Sequence, residues 1–269
     1  MSDDPAVART FNTPPERVTD YDSIADCYDI RYGRYSYGGV RDTVLSFLGD
    51  ATAVLEVGCG TGHWLASVDN SRPRRLAGID PSASMLARAR RATPAAQLVR
   101  ARAEALPCGD QTFDRVFCVN ALHHFTDRDR FFAEARRVLR PGGGLLTIGK
   151  DPHREGDTWW VYDYFDETRA IDRVRYAPVK TLRGELTRAG FAWAESVEAD
   201  HIEIMVPAGE ALAEGADGVV TPTFTSQLTV LSEEEFARGV ERIREADAAA
   251  GGTLQLVADF KLYATIGWV

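Results

Sequence analysis

The stretch that decides the fold reads Val54-Leu55-Glu56-Val57-Gly58-Cys59-Gly60-Thr61-Gly62. Residues 53–57 are apolar except for Glu56, as in a short buried strand. Glycine then stands at every second position, and a helix is predicted from about Thr61. A strand, a glycine loop and a helix in this order predict the nucleotide crevice of an α/β protein, because glycine lets the backbone approach a ligand closely.

The spacing of the glycines narrows the class of ligand. A dinucleotide fingerprint has the form G-x-G-x-x-G, whereas Gly58, Gly60 and Gly62 give G-x-G-x-G, and His63 stands where the third fingerprint glycine would be. The Glu56 carboxylate would repel a pyrophosphate and attract an ammonium or a sulfonium. S-adenosylmethionine carries both cations and no phosphate. A tight structural turn is the alternative interpretation of the loop.

Strands and helices alternate over residues 53–149, which predicts a parallel sheet with helices on both faces. The predicted strands are 53–57, 75–80, 96–100, 113–119 and 144–149, and the predicted helices are 61–69, 82–92 and 127–139. Further along the chain, a helix is predicted near 178–189, and strands are predicted near 191–204 and 254–268. Ser232 and Glu235 form a capping-box pattern at the start of a predicted helix that ends at Ala249.

The remaining segments interrupt this alternation. Segments of about 1–45, 151–177 and 205–250 are expected to form a cap over one end of the sheet, since such insertions commonly carry substrate lids. We predict a single domain over residues 1–269, whose core comprises about 50–150, 178–204 and 254–269.

Six motifs in order resemble those of the class I S-adenosylmethionine-dependent methyltransferases, of the type 11 methyltransferase domain that acts on small molecules. Besides the glycine loop they are Asp80, Ala103–Pro107, Phe113–Val119, Asn120–Phe125 and Arg137–Gly143, and Tyr21–Asp29 in addition resembles the N-terminal helix of the family. The resemblance implies a Rossmann-like, seven-stranded, mostly parallel sheet whose last strand is antiparallel. It also implies methyl transfer to a small-molecule acceptor, with S-adenosylhomocysteine as product.

The resemblance implies cofactor contacts at Tyr21, Tyr28, Glu56, Gly58, Gly60, Asp80, Pro81, Ala103, Glu104 and Asn120. Asp80 ends the second strand, where a carboxylate binds the ribose hydroxyls or caps the following helix. Arg102 departs from the family, which often has an acidic residue there for the adenine amino group, so backbone or Glu104 must supply that contact. Tyr21 and Tyr28 are placed on one face of an N-terminal helix, over the cofactor or in the core.

His123 and His124 are the candidate general bases. They follow the fourth strand at its carboxyl end, where open α/β sheets bind their ligands, and histidine titrates near neutral pH. One is expected to face the site and the other to pack. His153 is a weaker candidate for the substrate site, and His201 is expected to be structural.

The densest aromatic run is Trp159-Trp160-Val161-Tyr162-Asp163-Tyr164-Phe165. Its rings either anchor the cap to the core or form the wall of an acceptor pocket, and a cage for a cationic amine is a third possibility. We predict substrate contacts from Trp159, Trp160, Tyr162 and Tyr164.

The composition excludes several classes of protein. A net charge of −9 argues against a nucleic-acid partner, and the basic runs Arg72–Arg75 and Arg88–Arg91 are interpreted as solvated surface. Four scattered cysteines suit a reducing cytoplasm, and neither a signal peptide, a membrane span nor a metal motif is expected. The protein is expected to be a monomer or a homodimer.

Three alternatives remain at this point. The chain could bind S-adenosylmethionine for a non-methylating reaction or for regulation, because a fold does not fix a function. It could methylate RNA, in which case binding would depend on salt. A dinucleotide oxidoreductase is the least favoured alternative because of the glycine spacing.

Overall fold

A computed structural model describes residues 19–26, 28–69, 74–213 and 218–269. The first part of the predicted N-terminal cap and two residues of the first basic run, Arg72 and Pro73, lie outside the described residues. Each of the core strands predicted from the sequence is present. Their bounds are β1 (Ala53–Val57), β2 (Arg75–Asp80), β3 (Gln97–Arg100), β4 (Phe113–Val119), β5 (Leu139–Gly149), β7 (Trp193–Pro207) and β8 (Gln255–Trp268).

The first five strands form a parallel sheet in the order β3-β2-β1-β4-β5, and β8 continues it in antiparallel orientation beside β5. The antiparallel last strand confirms the expectation from the family. Strand β7 pairs with β8 along its length. The order reverses between β1 and β4, so the carboxyl ends of these two strands border the crevice where open α/β sheets bind ligands.

The expected count of seven strands is wrong for the described residues, which form an eight-stranded sheet. The additional strand, β6 (Thr158–Trp159), pairs with Ala258 and Asp259 of β8. This is possible because β8 extends beyond the edge of β5, and its free backbone groups accept a short segment of the cap as a partner.

Helices cover both faces of the sheet. They are α3 (Gly38–Leu48), α4 (His63–Asp69), α5 (Ala83–Ala92), α6 (Arg128–Val138) and α9 (Val179–Arg188). Successive residues of β1 point to opposite faces, so Val54 belongs to one hydrophobic cluster and Leu55 to the other. The start of α5 agrees with the sequence, because the Ser82 hydroxyl accepts a hydrogen bond from the Met85 N–H.

The cap consists of short helices from three segments. They are α1 (Tyr21–Ile24), α2 (Ile30–Arg34), α7 (Trp160–Tyr164), α8 (Asp166–Arg175), α10 (Ala208–Ala211) and α11 (Glu233–Ala249). The capping box at Ser232 and Glu235 is present at the start of α11. Helix α8 was not predicted from the sequence.

The single N-terminal helix expected to hold Tyr21 and Tyr28 is wrong, because the chain forms α1, a turn and then α2. Asp22 and Asp29 explain the break. The Asp22 carboxylate accepts a hydrogen bond from the Ser82 hydroxyl at 2.5 Å, and the Asp29 carboxylate accepts one from the Thr61 hydroxyl at 2.6 Å. These bonds hold the N-terminal chain against the core. The two tyrosine rings still meet edge to face, with centroids 5.7 Å apart.

The second basic run lies on α5. Arg88 pairs with Asp26 of the cap, and Arg90 and Arg91 are exposed. Arg88 therefore contacts the cap, and Arg90 and Arg91 form solvated surface, the interpretation that the net negative charge of the chain favours.

Candidate cofactor and acceptor site

The glycine loop after β1 has a conformation that requires glycine. The φ angles of Gly58, Gly60 and Gly62 are +76°, +51° and +84°. A Cβ atom on Gly58 would lie 2.4 Å from the Cβ of Ala121, so the loop passes directly against the chain that leaves β4. A Cβ on Gly60 would meet only a ring carbon of Tyr28, at 3.8 Å.

Glu56 is the most buried acidic group of this region, with an exposed fraction of 0%. Neither carboxylate oxygen has a hydrogen-bond partner among the described residues. Burial, and then the negative charge of Asp80, raise the pKa of Glu56 well above its usual range. A buried acid without a partner is destabilising, and a cationic ligand would relieve this.

Asp80 is held at the end of β2 by backbone groups. Its Oδ2 accepts from the Gly60 N–H and its Oδ1 from the Ser82 N–H, both at 2.9 Å. Burial raises the pKa of Asp80, and these two hydrogen bonds oppose that shift. The carboxylate thus joins the glycine loop to the start of α5, which is compatible with both roles considered from the sequence.

The N-terminal helices cover this crevice, which is bounded by the glycine loop, Glu56 and Asp80 and which we call the cofactor crevice. The ring of Tyr28 lies in front of Gly60, and Tyr32 stacks on His63 with centroids 3.6 Å apart. Neither Glu56 nor Asp80 lines the cavity described below. In this conformation, α1 and α2 form a cover over the crevice.

The predicted adenine side of the crevice is a tightly bonded turn. Ala103 is buried, and Pro81 is exposed with its carbonyl accepting from Arg100. The Oε1 atom of Glu104 accepts from the backbone N–H and the hydroxyl of Thr126, at 2.7 and 2.9 Å. Glu104 thus stabilises the approach to α6, and its contact with adenine stays a prediction.

Asn120 follows β4 with a φ of +50°, an unusual value for a residue other than glycine. Its N–H donates to the carbonyl of Ile148, which fixes the turn against β5. Together with side chains from each cap segment, Asn120 lines a cavity that we call the cap cavity. Its lining includes Tyr21, Arg31, Lys150, Trp159, Tyr176 and Gln227.

His123 lines this cavity, His124 lies next to His123 with ring centroids 3.9 Å apart, and tyrosine hydroxyls contact both. His123 Nε2 is 3.1 Å from the Tyr176 hydroxyl, and His124 Nε2 is 2.5 Å from the Tyr21 hydroxyl. Burial, and then nearby positive charge, lower the pKa of His124 to about 3, and burial lowers the pKa of His123 well below its usual range. Both imidazoles are therefore neutral near pH 7.

Only part of the aromatic run contacts the cap cavity. Trp159 lines it, whereas Trp160 is buried against Phe165 and Phe224. Tyr162 donates to Asp172 at 2.5 Å, and Tyr164 is half-buried at the edge of the core. Trp160 and Tyr164 thus match the anchoring role, and Trp159 matches the pocket-wall role.

The other two histidines considered from the sequence, His153 and His201, do not line the cap cavity. His153 is exposed and its Nε2 contacts the Tyr176 carbonyl at 2.9 Å. His201 pairs with Asp259 on the exposed face of β7 and β8 at 2.6 Å. His201 is thus a strand surface residue.

A buried charge cluster beside the cap cavity was missed by sequence reasoning. Asp172, with an exposed fraction of 0%, accepts from Tyr162, from Arg175 at 2.5 Å and from Gln227 at 2.8 Å, and it lies 3.6 Å from Lys150 Nζ. Burial lowers the pKa of Lys150 to about 8. Lys150 directly follows β5, so its place at the carboxyl end of a parallel strand was the available signal.

The residues of the crevice fit S-adenosylmethionine. The buried Glu56 carboxyl has no hydrogen-bond partner among the described residues and would supply negative charge once a cationic ligand ionises it, and a ligand in front of Gly60 would require the ring of Tyr28 to move. The combination of this crevice with a sheet that ends in an antiparallel strand defines the class I methyltransferase fold.

Comparison with known proteins agrees. Residues 55–147 match the family model of the methyltransferase domain, and this match indicates an S-adenosylmethionine-dependent methyltransferase.

Two curated relatives are similar over part of their length. The phthiotriol/phenolphthiotriol dimycocerosates methyltransferase of Mycobacterium leprae is 31% identical over 158 residues, which cover 58% of this chain and 56% of that protein. The 27-O-demethylrifamycin SV methyltransferase of Amycolatopsis mediterranei is 31% identical over 159 residues, which cover 51% of this chain and 58% of that protein. The chain thus spans little more than half the length of these relatives.

Among solved structures, phosphoethanolamine N-methyltransferase 2 of Haemonchus contortus, in complex with S-adenosylhomocysteine, superimposes with a TM-score of 0.57 at 16% identity. The match covers 93% of this chain and 60% of that one, and it shows a shared fold. Across the described part of the chain, no helix combines the length and the hydrophobicity needed to cross a bilayer.

Proposed function

We propose that the protein transfers the methyl group of S-adenosylmethionine to a small molecule held in the cap cavity and releases S-adenosylhomocysteine. The observation that carries the proposal is the position of Asn120. This residue directly follows β4 at the point where the strand order reverses, and it also lines the cap cavity. Ligands of open α/β sheets bind at that point, so a donor in the cofactor crevice and an acceptor in the cap cavity would be neighbours.

The contribution of this chain is positioning and exclusion of water. When bound, the cofactor supplies an electrophilic methyl group, which the acceptor takes in an in-line displacement that breaks the carbon–sulfur bond. The cap encloses the acceptor with residues from three segments, including Tyr21, Trp159 and Gln227. Fixing two reactants in such an arrangement supplies up to about 7–11 kcal/mol of the barrier reduction.

The role of general base stays a prediction for His123 and His124. Both rings are neutral, which is the form that accepts a proton, but Tyr176 and Tyr21 hydroxyls contact their Nε2 atoms. Gln227 donates toward the Tyr176 hydroxyl, at 3.5 Å, so this hydroxyl is oriented to donate to His123. We infer that the site favours an acceptor whose nucleophilic atom does not have to lose a proton before it attacks the methyl group.

The α1–α2 cover requires an opening step in this proposal. Tyr28 lies over Gly60, and the cover is attached to the core through Asp22 and Asp29. Both attachments are exposed or partly buried polar contacts, which exchange with water more readily than packed apolar contacts do. The cofactor would enter when these contacts open, and their re-formation would enclose it.

The free cysteines of the described chain, Cys59, Cys108 and Cys118, support a reducing compartment such as the cytoplasm. Burial raises the pKa of Cys59 well above the usual value, which suits a packed, unreactive thiol.

The test is binding followed by transfer. Calorimetry with purified protein should detect S-adenosylmethionine and S-adenosylhomocysteine, and mass spectrometry of reactions with a small-molecule library should find a product heavier by one methylene. If neither form of the cofactor bound, the proposal would be wrong. Conversion of a substrate without a gain in mass would instead indicate a non-methylating relative, and RNA binding that weakens steeply with salt would indicate an RNA substrate.

A further inference from the structure

The cap cavity is lined by cations and by no acid of the described residues. Arg31 and Lys150 both contribute to its wall, and neither aspartate nor glutamate does. This is unusual in a protein of net charge −9. A partly enclosed space with two cationic side chains favours a negatively charged occupant, since charges interact more strongly when water is excluded.

Three residues of the same wall carry buried polar atoms without a partner among the described residues. They are Nη2 of Arg31, Nε1 of Trp159 and Oγ1 of Thr225. Each of these atoms can donate a hydrogen bond, and two of them can only donate. Leaving such donors unpaired costs about 1–3 kcal/mol each. A ligand with several acceptor oxygens would satisfy them.

Asp172 cannot neutralise the cavity on its own. Its two oxygens already accept from Tyr162, Arg175 and Gln227, at 2.5, 2.5 and 2.8 Å. Lys150 has the longest contact with Asp172, at 3.6 Å, and its side chain is only 10% exposed. The ammonium group of Lys150 therefore keeps hydrogen-bonding capacity for a second anionic partner.

Arg31 has no ion pair with any carboxylate of the described chain. Its guanidinium lies over the ring of Tyr28, with Cζ 3.7 Å from the centroid, and 5.1 Å from that of Tyr32. Cation–π contacts hold the planar group in place, and a guanidinium can form a bidentate contact with a carboxylate or phosphate.

Another part of the wall is apolar. Tyr35, Trp159, Phe260 and Leu262 line the cavity, and all four are buried. This surface suits a hydrocarbon or aromatic body. The cavity thus combines an apolar wall with a cationic and donor-rich part.

We propose that the acceptor is a small organic anion, an apolar body with one carboxylate or phosphate group that contacts Arg31 and Lys150. This inference rests on the proposed function, because it identifies the substrate class of the same site. Arg31 and Lys150 act in it as binding residues.

The experiment compares acids with neutral isosteres. Benzoate, phenylacetate and 3-phenylpropionate, each paired with its primary amide, and phenyl phosphate are titrated calorimetrically into protein saturated with S-adenosylhomocysteine. The acid of at least one pair should bind roughly tenfold or more tightly than its amide, the difference expected for a hydrogen-bonded charge. Tighter binding of phenyl phosphate than of every carboxylate would identify phosphate as the charged group.

Two variants locate the anion. Arg31→Gln and Lys150→Gln should each weaken binding of the preferred acid about tenfold and leave binding of its amide unchanged. Arg41→Gln is the matched control, because Arg41 is an exposed arginine of α3, pairs with Asp42 and does not line the cavity. Lys150→Arg, which keeps the charge, should retain most of the affinity.

The outcomes separate this inference from the proposed function. If S-adenosylhomocysteine failed to bind wild-type protein, the proposed function would fail first. If it bound, and acids and amides then bound equally or no acid bound, the anionic acceptor would be overturned. The wild-type comparison alone decides this point, so the test survives a variant that does not fold.

Discussion

The cofactor crevice and the cap cavity carry opposite charge. Glu56 and Asp80 are buried carboxylates beside the glycine loop, whereas Arg31 and Lys150 line the cavity on the cap side. A cationic donor and an anionic acceptor would each be stabilised on its own side and repelled from the other. Charge, more than shape, can therefore order two ligands around the single turn at Asn120.

The first prediction concerns the contact between the two regions, and its expected effect on stability and cofactor binding exceeds those of the predictions that follow. Gly58→Ala places a Cβ 2.4 Å from that of Ala121 at a φ of +76°. Backbone strain and overpacking together should destabilise the fold by about 3 kcal/mol or more and remove cofactor binding. Thermal unfolding and calorimetry with S-adenosylhomocysteine measure both effects.

Gly60→Ala is the control for Gly58→Ala. It has a φ of +51° and only a 3.8 Å contact with Tyr28, so it should cost about 1 kcal/mol of stability. Equal losses in the two variants would contradict the close approach between the glycine loop and the end of β4.

The second prediction concerns the cationic side. Burial lowers the pKa of Lys150 to about 8, against 10.5 for an ordinary lysine. Between these pH values the unfolded chain binds more protons than the folded chain, so the folded state gains stability as the pH rises. The stability of wild type relative to Lys150→Met should therefore increase by roughly 3 kcal/mol between pH 7.5 and 11.

Urea denaturation of both proteins across this range measures the difference. Tyrosines that titrate at high pH are common to both proteins and cancel. If the difference in free energy of unfolding between wild type and Lys150→Met stayed constant or fell as the pH rose, burial of the Lys150 ammonium would not destabilise the fold.

The crevice was predictable and the cap cavity was not, for a physical reason. Glu56, the glycines and Asp80 lie on consecutive elements, where strand and turn chemistry fix their places. The expectation that failed there, a single helix holding Tyr21 and Tyr28, depended on side-chain bonds from Asp22 and Asp29 to the core. The periodicity of a local stretch of sequence gives no information about such long-range hydrogen bonds.

The cap cavity depends on long-range contacts throughout. Arg31, Lys150 and Gln227 come from three segments, and their proximity follows from tertiary packing of the cap. The aromatic run at 159–165 showed that the cap packs on the core, but its sequence could not show that Trp159 lines the cavity whereas Trp160 is buried. The position of Lys150 directly after β5 indicates that it lies near the ligand site, whereas nothing in the sequence gives this indication for Arg31.

The third prediction tests the acidic side. The pKa of Glu56 is raised, so its carboxyl keeps a proton at a pH where an exposed acid has lost it. A cationic ligand favours the ionised form, and binding of S-adenosylmethionine should therefore release a fraction of a proton. Glu56→Gln should abolish this release and weaken binding roughly tenfold.

Calorimetry in buffers with different ionisation enthalpies measures the released proton. Asp80→Asn is the comparison, because it keeps the shape of a residue that also receives two backbone N–H groups. If wild type and Glu56→Gln gave the same dependence on the buffer, Glu56 would not face the cationic part of the cofactor.

The smallest effect is expected at His124, between the two regions. Its pKa of about 3 makes it a weak base, and the Tyr21 hydroxyl lies 2.5 Å from its Nε2 atom. Loss of a true general base lowers the rate by about 10²–10⁴, whereas His124→Gln, which keeps a hydrogen-bond acceptor, should lower kcat less than roughly tenfold. The pH–rate profile should keep its shape near pH 6.5, the value of an ordinary histidine. A hundredfold loss, together with the disappearance of an acid limb, would instead establish His124 as the base and would place proton transfer at the boundary between the acidic crevice and the cationic cavity.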